Sequence, residues 1–280
     1  MFKPIIFVVL LLICILENVT SSVNQEAKLD LSRVAKELWE ADVHAGHVNT
    51  HYKLNFQGKP TEACDKSPLF IMFNESQLRK FSTVDAFLNL GQIYHRDLEV
   101  TEHFTEADKK LIVKFVDECL KTEIMKIMMK YLKKINPAYN TVEVVKAYLL
   151  KIWFSLYKRT KSDDSSGFEH VFLGEVRRQE VTGFHNWIRY AKLEQMERMK
   201  YCGSKYHYKE LFSSFRFIWK EKFLKNIGSM LFGVSPEFEM ALYTLVYTLD
   251  QGNQPINIDG LKFTVVCHDM QGKIGTCYPS

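Results

Sequence analysis

"TKSDDSSG", residues 160–167, divides the chain into two textures. It is a polar connector ending in glycine, with apolar residues recurring at helical spacing before it and short alternating segments after it. On its N-terminal side, "LDLSRVAKELWEAD", residues 29–42, predicts a short amphipathic helix, followed by polar loop to about residue 80. "FSTVDAFLNLGQIYH", residues 81–95, predicts another helix. "TEAD", residues 105–108, fits a capping box and opens a long amphipathic run to "KKIN", residues 133–136, stopped at Pro137. A third run, "VEVVKAYLLKIWFSLYKR", starts after Asn140 or Thr141.

On the C-terminal side, "FEHVFLGEV", residues 168–176, alternates like a strand, and "RRQE", residues 177–180, reads as a turn before "VTGF". Residues 185–199 return to helical spacing, and "SSFRFIWK", residues 213–220, alternates again. "SPEFEMALYTLVYTL", residues 235–249, is a helix with Ser235 as N-cap and Pro236 in the favoured first position. The tail, residues 255–279, gives three short strands separated by "DG" and "QG" turns. Helices first and mixed sheet later predict the α+β class. The expected organisation is a mostly helical lobe over residues 28–160 and a mixed lobe with short antiparallel sheets over 165–280.

With 280 residues, 46% of them apolar and 25% charged, the chain can bury a substantial core. Its net charge of +4 neither demands nor excludes a nucleic-acid partner. Lys3, the apolar run "PIIFVVLLLICIL" and the polar "NVTSSV" follow the order of a secretory leader, expected to cover residues 1–22 with cleavage near Ser21 or Ser22. The alternative is a membrane anchor, but the run falls short of the roughly 20 apolar residues a bilayer demands. The mature chain is therefore expected to be secreted, soluble and free of the membrane.

Once Cys14 leaves with the leader, Cys64, Cys119, Cys202, Cys267 and Cys277 remain. An odd count means that at least one thiol stays free or pairs between chains, and the connectivity is open. Cys119 lies in a helical apolar pattern, where a buried free thiol is expected. Asn74 in "NES" fits a glycosylation acceptor.

Among candidate chemistries, "HAGHVNTHY" offers His44, His47 and His51. Gly46 and Asn49 argue against the helix that would align them, so loop histidines are expected rather than zinc ligands. Phosphate-loop, dinucleotide, G-x-S-x-G and H-E-x-x-H patterns are absent. There remain His170 in "FEHVF" and His185 in "GFHNW", each wrapped in aromatic residues and close to a glycine. One such histidine is most simply a packed side chain. Two in a glycine-punctuated hairpin can divide acid and base work near neutral pH, as in-line RNA cleavage requires.

The blocks "SGFEHVFLGE", "TGFHNWIRY", "FLKNIGS" and "GVSPEFEMALYTL" occur in this order. Together they resemble the EndoU family, the poly(U)-specific or uridylate-specific endoribonucleases that include the animal XendoU-type enzymes. The likeness runs from about Leu29 to the "TCYP" end, so an EndoU-like domain over 28–280 is implied. The resemblance implies His170 and His185 as the catalytic pair, His185 as base and His170 as acid, with Lys225 stabilising phosphorane charge. Glu169 and Glu175 match acidic residues that support activity, by orienting the histidines or helping an ion bind; the alternative for them is a solvated strand edge. Ser229, Thr276 and Tyr278 match uridine-binding positions, Tyr278 by stacking on base or ribose. The resemblance also implies Mn²⁺, whose ligands the sequence does not reveal, and 2′,3′-cyclic phosphate and 5′-hydroxyl products.

Single-stranded RNA containing uridine is the implied partner, and a monomer is the default. Lys158, Arg159, Lys161, Arg177 and Arg178 could track phosphates or simply face solvent. Two rival readings are a catalytically silent RNA-binding protein of the same fold and a secreted protease-like protein. No serine or cysteine nucleophile motif supports the latter.

Overall fold

The connector that divides the sequence is itself folded into a ribbon at the junction of helices and sheet. The computed structural model describes residues 31–42, 50–160, 162–220, 222–249 and 252–280. The expected leader, His44, His47 and Lys161 lie outside the described residues. Helix α1 covers residues 31–41 and buries Leu31, Val34, Ala35 and Leu38, one face at helical spacing. The expected polar loop to residue 80 instead holds an antiparallel pair, β1 (Tyr52–Leu54) and β2 (Phe70–Phe73), and the short α2 (Glu75–Leu78). Strands of three and four residues are too short to register as periodicity.

Helix α3 spans Ser82–Leu90. The long run after residue 105 is two helices, α4 (Glu106–Leu120) and α5 (Glu123–Ile135). Thr105 and Asp108 form the reciprocal capping box that opens α4. Thr122 breaks the run because its hydroxyl accepts from the Met125 N–H, capping a new helix; such a cap contributes about 1 kcal/mol. Thr141 caps α6 (Val142–Leu149), which continues into a π-helical turn at Leu150–Phe154.

The ribbon pairs β3 (Tyr157–Lys158) with β4 (Asp163–Ser165), and the Asp164 carboxylate accepts from the Arg159 and Thr160 N–H groups. A second π-helical turn, Glu169–Leu173, leads into the hairpin of β5 (Glu175–Arg177) and β6 (Glu180–Thr182). Then come α7 (Trp187–Gln195), β7 (Met199–Tyr208), β8 (Phe212–Trp219), β9 (Phe223–Leu231), α8 (Pro236–Thr248), β10 (Gln254–Ile258), β11 (Leu261–Asp269) and β12 (Ile274–Pro279). The first sheet has the order β5-β6-β9-β8-β7, with β6 and β9 parallel; the second is the meander β10-β11-β12. The architecture is thus α+β, with helices first and two small sheets later.

Ser235 caps α8 as expected, with Pro236 in the first turn. Residues Pro236 to Val246 are all buried, so α8 is covered on every side, and it meets α3 and α5 as well as β11 and β12. Disulfide Cys64–Cys202 joins the loop before β2 to β7, and Cys267–Cys277 crosslinks β11 to β12. Cys119 is free and buried, and burial pushes its thiol well up in pKa.

Candidate active site

His170 sits in the second π-helical turn, not in the strand its alternating neighbours predict. All five residues of the turn are buried, so there is no solvent face for a two-residue period to mark. The Gly174 N–H donates to the Glu169 carbonyl at 2.9 Å, closing the turn, and the chain leaves through Gly174 at φ 77°. The β5–β6 hairpin then reverses at Arg178 and Gln179, both at positive φ, and returns to the first histidine. Two backbone bonds clamp the segments together: Phe184 N–H to the His170 carbonyl at 2.8 Å, and His185 N–H to the Val171 carbonyl at 2.7 Å. Gly183 makes this approach possible, because a Cβ there would lie 1.8 Å from the His170 carbonyl oxygen.

Each imidazole is oriented through Nδ1. His170 Nδ1–H donates to Glu175 Oε2 at 2.6 Å, and His185 Nδ1–H donates to the Ser229 carbonyl at 2.9 Å. Nε2 of each ring has no protein partner among the described residues, and both histidines line the same cleft of about 840 Å³. Burial lowers the pKa of His170, against an upward pull from the Glu175 carboxylate. His185 is held well below the ordinary value, first by burial and then by the Lys225 charge. Burial brings Lys225 down to about 8.

Lys225, Ile227 and Ser229 follow one another at two-residue spacing along β9 and all line the cleft. Thr276 and Tyr278 reach it from β12. The cleft therefore unites His170, His185, Lys225, Ser229, Thr276 and Tyr278 from four separate stretches of chain. Tyr278 stacks on the His185 ring, with centroids 4.9 Å apart and planes 15° apart, so one of its faces is already covered.

Glu169 and Glu175 are not a solvated edge, being 1% and 0% exposed. Glu175 stands behind His170, with the Arg159 guanidinium 3.6 Å away. Glu169 is not among the cleft residues; burial, with Glu175 and Glu102 nearby, pushes its carboxyl well above the usual carboxylate range. Asn74 is not among the cleft residues. It caps α2, its side-chain oxygen accepting from the Gln77 N–H.

The profile of the family Endoribonuclease XendoU matches residues 30–279. A poly(U)-specific endoribonuclease of Xenopus tropicalis is 34% identical over 284 residues, covering 94% of this chain and 95% of that one. The chain belongs to the XendoU endoribonuclease family. A uridylate-specific endoribonuclease B of Danio rerio is 35% identical over 276 residues, covering 91% of this chain and 96% of that one. The solved structure of XendoU, a splicing independent snoRNA processing endoribonuclease, superimposes with a TM-score of 0.80 at 34% identity, covering 89% of this chain and 96% of that one.

Within this XendoU fold, sequence reasoning missed Lys205, Tyr206, Lys262 and His268, all of which line the cleft. His268 pairs with Thr276 across β11 and β12, a relation that exists only once the strands are in register. Arg159 turns inward to hydrogen-bond the Tyr157 hydroxyl, the Ser165 hydroxyl and the Gly275 carbonyl, so it braces the site from behind and does not track phosphates from the surface. Among the described residues no three His, Cys, Asp or Glu side chains converge to hold an ion. No set of described residues therefore stands ready to hold the manganese that the family resemblance implies. No described helix is long and apolar enough to cross a membrane.

Proposed function

We propose that this chain is an endoribonuclease that cleaves single-stranded RNA at uridylates by attack of the ribose 2′-hydroxyl. His185 Nε2 takes the 2′-hydroxyl proton as the new 2′-oxygen–phosphorus bond forms. His170 Nε2–H gives a proton to the 5′-oxygen as the phosphorus–oxygen bond breaks, leaving a 2′,3′-cyclic phosphate and a 5′-hydroxyl. The role assignment follows from what surrounds each ring. A carboxylate favours the imidazolium at His170, whereas at His185 burial and the Lys225 charge favour the neutral base and outweigh the upward pull of the Ser229 carbonyl.

Lys225, still protonated at neutral pH, offsets charge growing on the nonbridging oxygens, an interaction stronger in the transition state than in the ground state. Ser229 and Thr276 offer hydroxyls to the uracil edge, and the free face of Tyr278 packs against base or ribose. The observation that carries the reading is the pair of imidazoles, each tied at Nδ1 and free at Nε2, opening into one cleft beside a lysine. The names of the relatives support the uridylate preference. Manganese enters as a counter-ion of the RNA phosphates.

We further propose that residues 1–22 direct the chain to the secretory pathway, where Asn74 is glycosylated; the two disulfides support an oxidising compartment. The catalytic proposal is tested by incubating the protein with RNAs that each carry one uridine or one cytidine and identifying the product ends. Cleavage after uridine with cyclic phosphate and 5′-hydroxyl ends supports it. A 5′-phosphate product would exclude 2′-hydroxyl attack.

A further inference from the structure

A second pocket, of about 690 Å³, opens on α7, β8 and the segment after α3, and none of the six cleft residues named above lines it. Its cations fall into two groups. Arg96 is paired with Asp97, Lys192 with Glu75, and Arg79 with Glu75 and Asp85. Arg189, Arg198 and Lys220 have no side-chain hydrogen-bond or ion-pair partner among the described residues. The nearby carboxylates are thus already engaged, and three positive charges remain in one pocket.

Three of the lining groups are buried donors without acceptors, the Tyr94 hydroxyl among them. Trp219 is only 3% exposed and its indole Nε1–H has no partner; Arg189 Nε is likewise enclosed and unpartnered. An unsatisfied buried donor is costly. The cations also repel one another. Burial and the Arg198 charge bring Arg189 down to about 10, and burial with the charges of Arg96 and Arg198 lowers Lys220. Every free polar group named here donates, so the complementary ligand is rich in acceptors and negatively charged. Trp219 adds an aromatic ring, over which the Arg96 guanidinium already lies at 5.9 Å.

We propose that this pocket is a second anion site, which binds the phosphate of a nucleotide through the side chains of Arg189, Arg198 and Lys220. The inference is independent of the proposed cleavage reaction, since it needs neither histidine nor Lys225. The phosphate can come from a free nucleotide or from a stretch of RNA lying outside the cleavage cleft; the chemistry recognised is the same.

The test is calorimetric titration of ADP into the Lys225→Ala protein, whose cleft has lost its principal cation, and into Lys225→Ala carrying Arg198→Gln and Lys220→Gln. Both added changes are at exposed positions and leave the fold standing, which thermal melting verifies. The Lys225→Ala protein is expected to bind one ADP, and the further changes to weaken it about 30-fold or more, as loss of two charge-assisted contacts implies. Adenosine should not compete. Absence of ADP binding to Lys225→Ala, equal binding by the triple variant, or equal competition by adenosine would each overturn the proposal. Displacement of ADP by an oligoadenylate identifies RNA as the source; failure to displace it identifies the free nucleotide, and either result leaves the phosphate site in place.

Discussion

Replacing Glu175 with glutamine keeps its size and removes its charge. The carboxylate accepts from His170 Nδ1 at 2.6 Å, with the acceptor fully buried and the imidazole 6% exposed, so solvent does little to screen the contact. A buried hydrogen bond to a charged partner contributes about 1.5–3 kcal/mol, and each pKa unit corresponds to about 1.4 kcal/mol. The His170 pKa should therefore fall by about one to two units. Arg159, 3.6 Å from the same oxygen, pushes in the same direction once the negative charge is gone. As the proposed acid, His170 must be protonated, so the alkaline limb of kcat/KM against pH should mark its loss of a proton, and the acid limb protonation of His185. Both rings sit below the ordinary 6.5, with His185 lower, so the wild-type profile should peak on the acid side of 6.5. In Glu175→Gln the alkaline limb should move down by about one to two units, and kcat/KM at pH 7 should drop about 10- to 100-fold. The assay is steady-state cleavage of a fluorescent uridine-containing oligonucleotide from pH 4.5 to 8.5. An alkaline limb that stays in place while only the amplitude changes would refute the assignment of His170 as the carboxylate-backed acid.

Three other outcomes are expected. Glu239 accepts from Asn186 and Tyr243 within the core and is raised to about 8, above its unfolded value, so its protonation stabilises the fold below pH 4.5 and that contribution is lost as pH rises towards 8. In chemical denaturation, Glu239→Gln should remove a slope of about 1.4 kcal/mol per pH unit across that window; identical pH dependence in both proteins would contradict the buried neutral acid. The Cys64→Ser/Cys202→Ser protein should lose on the order of 5 kcal/mol of stability, because the bond closes a loop with a sequence separation of 138; an unchanged denaturation midpoint would mean that the crosslink does not form in the purified protein. Calorimetry with micromolar Mn²⁺ and RNA-free protein should show no stoichiometric binding, whereas a tight one-to-one event would place a manganese site on the protein itself.

The class of the fold was legible because its strongest signals are local. Thr105 with Asp108, Ser235 with Pro236, and the glycine turns at 259–260 and 271–272 state their geometry in two to four residues, and each forms as read. The hydroxyl of Thr122 is as local, yet it lies inside a continuous apolar pattern that masks the break. Strand β7 carries Gly203 and an exposed stretch of Lys205, Tyr206 and His207, so its pattern blurs although eight of its residues pair with β8. The π-helical turn at His170 is invisible to periodicity because both of its faces are buried.

Site residues divide in the same way. His170, Gly183 and His185 come from neighbouring stretches within residues 170–185, and their union through the hairpin could be suspected from spacing. Lys205, Lys262 and His268 join the cleft only through the register of two sheets, which no local pattern encodes. The pairing of Cys64 with Cys202 is likewise a product of the fold, since it links residues from opposite sides of the connector.

The most direct test of the central claim uses one short RNA with a single uridine, prepared with ribose or with 2′-deoxyribose at that position, against the wild-type protein and His185→Ala. Cleavage of the ribose substrate by wild type alone is expected, with the deoxy substrate intact under every metal condition. Cleavage of the deoxy substrate, or undiminished cleavage by His185→Ala, would contradict it.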